Sequence, residues 1–413
     1  MLAARTLLCL ASILAVAACQ RDAAPDQAAA PQAYTVQPWA LPGGAGAAQP
    51  ELIATPEGHL LLAWVSSIEG RRNALQFSEF GRDLRWQSAP RTIVVGNSLV
   101  ANWANTPHLA RSDDGALWVQ WLQQSGDGHA ADVMLARSVD GGFSWSNPVR
   151  LNTDTLPAEH GFASLWAAGA DRIGAAWLSG TPMQHGEAEH EGNTSLQAAL
   201  FDRNLARSDA QVVDPLTCDC CQTDAAATPR GALLVYRGRT QDDVRDILAT
   251  RFEKGAWRKP QPVHADGWTM HACPVNGPAL AAHGNAAVVA WYTAAQDRPA
   301  VLLALSDDAG DHFAAPVTVD SGAAVQGRVA VALDARQAWI AWFREDAGGQ
   351  SLWLARYAPD LSRELQRVEV AKLAGRGRGA GFPQLALRGD GAWLAWTDMV
   401  DGVPQLRGAH IPY

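Results

Sequence analysis

Short apolar runs, each closed by an aromatic residue and introduced by a polar turn, recur along this chain at nearly constant spacing. LLLAW ends at Trp64, LWVQW at Trp121, IGAAW at Trp177, LLVY at Tyr236, AVVAW at Trp291, AWIAW at Trp342 and AWLAW at Trp396. The intervals are 57, 56, 59, 55, 51 and 54 residues. Turns such as TPEG, SDDG, TPRG and RGDG precede the runs, and strand-like runs such as VMLAR, ILATRF, VLLAL and LWLARY follow them. Period-two patterns broken by Gly, Asp and Asn turns predict antiparallel strands. A repeat near 55 residues predicts one supersecondary unit used many times, as in a propeller blade of four strands. We count seven units, with six as the alternative. The expected fold is therefore all-β, a single β-propeller over residues 34–413. The last unit ends one strand short at HIPY, while YTVQPWAL, from Tyr34 to Leu41, stands ahead of the first. That segment is expected to supply the missing outer strand and close the ring, which leaves no open sheet edge between first and last blades.

The N-terminus changes the compartment. MLAARTLLCLASILAVAAC carries one early cation, Arg5, then an apolar run, then small residues before Cys19. Residues 1–18 read as a secretory signal, too short and alanine-rich for a membrane span. Val16-Ala17-Ala18-Cys19 resembles the lipobox of bacterial lipoproteins, which implies cleavage before Cys19 and its acylation. Residues 19–33 then form the lipidated cysteine and a flexible Ala/Pro/polar tether. The expected location is the bacterial cell envelope, lipid-anchored, with Gln20 pointing to the outer membrane facing the periplasm. A net charge of −9 and a pI near 5.6 leave no basic footprint for nucleic acid.

Two turns carry a family resemblance. Ser138-Val-Asp140-Gly-Gly142-Phe-Ser-Trp145 fits Ser-x-Asp-x-Gly-x-x-Trp, the Asp-box, and Ser306-Asp-Asp308-Ala-Gly310-Asp-His-Phe313 is a variant ending in Phe. Glycine permits positive φ in such a turn, Ser and Asp bond local backbone, and the aromatic packs beneath. These boxes resemble those of sialidases and their propeller relatives. The resemblance implies the fold and leaves activity open, because Asp-boxes lie away from the catalytic face. Sialidases have six blades, so a count of seven suggests a divergent branch.

Inner strands of a propeller line its channel, and the loops entering them form one mouth. Eighteen residues before each terminal aromatic stand Gly46, Trp103, Glu159, Cys218, Cys273, Ala324 and Arg378, which are expected to form a ring there. Trp103, Asn105, His160, Asn276, Arg328 and Arg378 are the ligand-binding candidates. Sialidase chemistry implies an arginine clamp for a carboxylate, a Tyr/Glu nucleophile and an acid/base Asp. The family's Arg-Ile-Pro motif is absent, and ALPGGAGAAQPE stands near the first blade instead. Arg328 and Arg378 are available as clamp members, with Arg237 or Arg239 as a third, and Glu159 and Asp219 as acidic candidates for catalysis. No complete sialidase set assembles.

Cysteine is scarce, yet CDCC places Cys218, Cys220 and Cys221 within four positions, and Cys273 follows at the equivalent entry of blade five. In an exported protein four thiols imply disulfides with three connectivities, and register favours Cys218–Cys273. The competing expectation is a soft-metal site for copper or zinc, made by these thiols with His271. His185 and His190, in MQHGEAEHEG, are further metal candidates. The CDCCQT run, with HACPVNGPAL, resembles a pattern of uncharacterised bacterial sialidase-like lipoproteins. The function expected is recognition of a glycan or other small anionic ligand at the mouth, with exo-glycosidase activity left open. The alternative is a periplasmic copper-binding or protein-docking propeller without hydrolysis.

Overall fold

The computed structural model describes residues 35–68, 72–154, 157–180 and 193–413. The expectations for the signal sequence, Cys19, the tether, His185 and His190 lie outside them. The described residues form seven antiparallel sheets, each built on four strands, and no α-helix. Blade four carries two short outer segments, Ala256–Trp257 and Gln261–Pro262, both paired with Ile247–Glu253.

The inner strands are Ala47–Ala54, His108–Arg111, His160–Ala167, Asp224–Thr228, Ala279–His283, Val325–Leu333 and Gln384–Arg388. Each packs beside the inner strand of the next blade, and the last packs beside the first. Closure follows the expected route. Gln37 and Pro38 pair with His410 and Ala409, so an N-terminal strand forms the outer edge of a blade otherwise made by the C-terminus.

The repeated aromatic phrases are the second strands, apolar but for Gln120 because both sheet faces are covered by neighbouring blades. Trp64, Trp177, Trp291 and Trp342 have no accessible surface. A buried indole N–H or phenol O–H needs a partner. In three blades an aspartate at the outer edge of the preceding blade supplies it. Tyr236 Oη donates to Asp214 Oδ2 at 2.6 Å, Trp291 Nε1 to Asp266 Oδ2 at 2.7 Å, and Trp342 Nε1 to Asp320 Oδ2 at 2.7 Å. These bonds latch blade three to four, four to five and five to six.

The two Ser-x-Asp turns lie between third and fourth strands and close alike. In the first, Gly142 N donates to Ser138 Oγ at 2.9 Å, Ser138 Oγ donates to Asp140 Oδ1 at 2.8 Å, and Ser144 N donates to the same oxygen at 2.9 Å. Ser306, Asp308 and Gly310 repeat the pattern, with His312 N donating to Asp308 Oδ1. Trp145 packs edge-on to Phe77 of blade one, and Phe313 packs against the core between blades four and five. Strand alternation puts both turns on the face opposite the inner-strand entries.

Candidate functional site

The entry ring is uneven. Inner strands begin one residue after Gly46, Glu159 and Ala324. They begin five or six residues after Trp103, Cys218, Cys273 and Arg378, which therefore lie in entry loops. In blades one, three and six the early strand is bulged around Gln49, Phe162 and Arg328, all at positive φ (56°, 49° and 53°). Left-handed backbone at such residues persists only when held from outside. Each amide is held by a side chain of the preceding blade. Gln49 N donates to Thr397 Oγ1 at 3.1 Å, Phe162 N to Asn105 Oδ1 at 2.6 Å, and Arg328 N to Asn276 Oδ1 at 2.8 Å. Asn105 and Asn276 thus serve as clasps between blades, and Asn276 also donates to Gln326 O.

A cavity of about 640 Å³ opens at the mouth over blades five and six. Trp103, Trp268, Tyr292, Arg328 and Arg378 wall it, with Asn276, Gln296 and Gln326 as amide groups. Asp297 is the one carboxylate among its described lining residues. Trp103 stacks parallel to Phe382 at 6.3 Å, and the exposed Arg378 guanidinium lies 5.6 Å from the Trp103 ring. Arg328 is buried, and among the described residues its guanidinium donates to the carbonyls of Gly377 (3.2 Å) and Gly381 (3.3 Å) alone, 4.8 Å from the Phe343 ring. Burial lowers its pKa to about 10, with Arg378 adding to the fall and Glu345 opposing it. Arg328 therefore keeps its charge at neutral pH, and both arginines line one cavity.

The other candidates lie elsewhere. Arg237, offered as a third clamp member, is fully buried and donates to Asn276 O, Arg245 O and Tyr292 O. Arg239 is paired with Asp243. Glu159 and His160 line a second cavity of about 290 Å³ with Asn105. His160 sits 2.8 Å from Asp154, and burial outweighs that carboxylate, lowering its pKa and leaving the ring neutral at pH 7. Asp219 stands beside Cys273 (3.8 Å) and Arg245 (3.6 Å). Glu159 and Asp219 are therefore on separate features, and neither is among the described residues that line the main cavity.

Sequence reasoning missed a third group, inside the channel. Glu51, His108 and Asp224, from blades one, two and four, face one another there. His108 Nδ1 is 3.4 Å from Glu51 Oε1, and Asp224 Oδ2 accepts from Leu280 N at 2.7 Å. Burial raises Asp224 to about 6. For His108, burial lowers the pKa but the Glu51 carboxylate outweighs it, so the net shift is upward.

The cysteines are brought together, with a different pairing from that expected. The disulfide joins Cys220 to Cys273 across 53 residues, stapling blades four and five, and Cys218 is left as a thiol. The register argument failed because the chain makes a tight turn at CDCC before the inner strand starts at Asp224, so equivalence by counting does not hold there. Cys218 and Cys221 are buried thiols with sulfurs 2.7 Å apart. His271 is exposed and pairs with Asp243 at 3.0 Å. A four-thiolate zinc or copper site does not fit this arrangement, since two of its sulfurs are bonded to each other and the imidazole is engaged elsewhere.

No protein-family model matches the chain, and no curated protein matches it. Its fold is similar to that of solved structures at low identity. An α-L-arabinofuranosidase from Fusarium graminearum, in complex with an iminosugar inhibitor, is 12% identical with a TM-score of 0.51, covering 92% of this chain and 97% of that one. An ulvan lyase of polysaccharide lyase family 25, bound to -[GlcA(1-4)Rha3S]-, is 12% identical with a TM-score of 0.51, covering 78% and 80%. A protein of unknown function from Dyadobacter fermentans is 14% identical with a TM-score of 0.50, covering 89% and 95%.

Proposed function

We propose that this propeller binds an anionic glycan, such as a uronate-bearing oligosaccharide, in the mouth cavity over blades five and six, without hydrolysing it. One observation carries the proposal: Arg328 and Arg378 face a cavity walled by Trp103, Trp268 and Tyr292. Planar guanidinium forks match carboxylates, and aromatic faces accept the apolar faces of sugar rings. Among the described residues the Arg328 guanidinium donates to carbonyl oxygens alone, so its charge suits an anion. Hydrolysis through two carboxyl groups needs them flanking one bond, about 5–10 Å apart. The cavity offers Asp297 alone among its described lining residues. That two proteins of this fold are named as an arabinofuranosidase and an ulvan lyase is consistent with glycan recognition here.

The test is calorimetric titration with oligosaccharides of glucuronate and with neutral counterparts of equal length. Uronate-dependent binding, reduced at least about tenfold by Arg378→Ala, is expected from loss of a charge-assisted contact. Equal affinity for neutral and acidic sugars, or an unaffected Arg378→Ala variant, would refute the assignment. Export and anchoring through acylated Cys19, at the outer membrane facing the periplasm, belong to the same proposal. Cys19→Ser should release the protein from membranes, and unchanged membrane attachment would overturn the anchor.

A further inference from the structure

Cys218-Asp-Cys-Cys221 is a Cys-x-x-Cys sequence interleaved with a disulfide-bonded cysteine. The Cys218 sulfur lies between two others, 2.7 Å from Cys221 Sγ and 3.9 Å from Cys220 Sγ. The latter is already bonded to Cys273, which is half-buried and lines the mouth cavity. We propose that Cys218 and Cys221 are an exchange-active dithiol that swaps with the Cys220–Cys273 disulfide, releasing Cys273 as a free thiol at the cavity wall.

The exchange needs no external oxidant or reductant. Cys218, as thiolate, attacks Cys220 Sγ; a Cys218–Cys220 bond forms, the Cys220–Cys273 bond breaks, and Cys273 leaves with the electron pair and takes a proton from water. Cys221 then attacks Cys218 Sγ, forming Cys218–Cys221 and expelling Cys220, which takes the proton that Cys221 gives up. One disulfide and two thiols stand on each side.

The surroundings suit this order of attack. Burial raises the Cys218 thiol, but its hydrogen bond with Cys221, the Cys220 amide and the guanidiniums of Arg237 and Arg245 outweigh it, and its pKa falls below the ordinary value. Burial first, then the neighbouring Cys218, holds Cys221 well above the ordinary value. One thiol of the pair is thus the nucleophile and the other its proton-bearing partner. The step also has a structural consequence. The chain between Pro262 and Ala279 carries Trp268, Met270 and Asn276 of the cavity lining, and the disulfide ties it to blade four. Exchange unties it.

The test is trapping of the native protein with excess maleimide under non-reducing conditions, followed by proteolysis and mass spectrometry. Residues 208–230 and the segment bearing Cys273 separate on tryptic cleavage unless the disulfide joins them. The expected result is time-dependent labelling of Cys273 together with an internal Cys218–Cys221 disulfide. Cys218→Ser, or Cys218→Ala should serine not fold, is expected to slow Cys273 labelling at least about tenfold and keep the cross-linked peptides. The wild-type time course stands as a test without either variant. Three results would overturn the proposal: free thiols fixed at Cys218 and Cys221 with Cys273 never labelled, two permanent disulfides with no thiol to trap, or one equivalent of copper or zinc released as the cysteines are alkylated.

Discussion

Removing the Asp320 carboxylate would expose how much the ring depends on polar latches between blades. Asp320 Oδ2 accepts from the indole of Trp342, which has no accessible surface, and Asp320 also binds Arg344 Nη1, with Oδ1 at 2.7 Å. In Asp320→Ala the buried indole N–H loses its acceptor, a cost of about 1–3 kcal/mol. The Arg344 ion pair is partly exposed and screened, adding under about 1 kcal/mol. A total near 2–3 kcal/mol is expected. At an unfolding entropy of about 2.1 cal/mol/K per residue, a propeller of this size loses roughly 3 °C in Tm. Asp320→Asn retains an acceptor and should lose less. The assay is calorimetric melting, with Trp342→Phe as the coupled variant: once the donor is gone, Asp320→Ala should cost at least about 1 kcal/mol less. An Asp320→Ala melt within about 1 °C of the parent, or no coupling to Trp342→Phe, would refute the latch.

Gly310 sits at φ +89°, and a Cβ there would meet Leu233 Cδ2 at 2.5 Å, so Gly310→Ala should destabilise by more than about 1 kcal/mol in denaturant titration. Asn276→Ala removes the acceptor for the Arg328 amide and a donor to Gln326 O, and should cost about 1–3 kcal/mol by the same measurement. Asp224 has a folded pKa of about 6, above the unfolded carboxylate value near 4, so the folded state holds the extra proton between them. Its contribution to stability therefore falls as pH rises through that window. Asp224→Asn should gain stability relative to the parent from about pH 4 to about pH 6, and a flat difference would contradict the assignment. Loss of the Cys220–Cys273 staple in Cys273→Ser should cost up to about 4 kcal/mol in the chain-entropy model, read from unfolding of the oxidised protein.

The fold was legible because its cause is periodic. Trp64, Trp177, Trp291 and Trp342 recur at blade spacing since each fills the same place between two sheets, and the orphan segment at Gln37 joined the blade that the C-terminus leaves one strand short. The site was legible only in part. Counting from the aromatics reached Trp103, Cys273 and Arg378, and these line one cavity together with Arg328. It failed for the disulfide, where CDCC turns before its strand begins, and it did not reveal which entry residues hold the backbone. Asn105 and Asn276 face the mouth in sequence register, yet both hold positive-φ amides of the following blade. That conformation follows from inner-strand bulges, which leave no hydrophobic period to read. Arg237 is lost to the core for a similar reason: three carbonyls converge on it, and only the folded ring brings them together.

The most direct test of the account is a crystal structure of the propeller with a bound glucuronate oligosaccharide. The account predicts density in the mouth cavity over blades five and six. The uronate carboxylate should lie within salt-bridge distance of Arg378, with a sugar ring against Trp103 and the glycosidic bond intact. A ligand on the opposite face, a carboxylate turned away from both Arg328 and Arg378, or a cleaved oligosaccharide would contradict it.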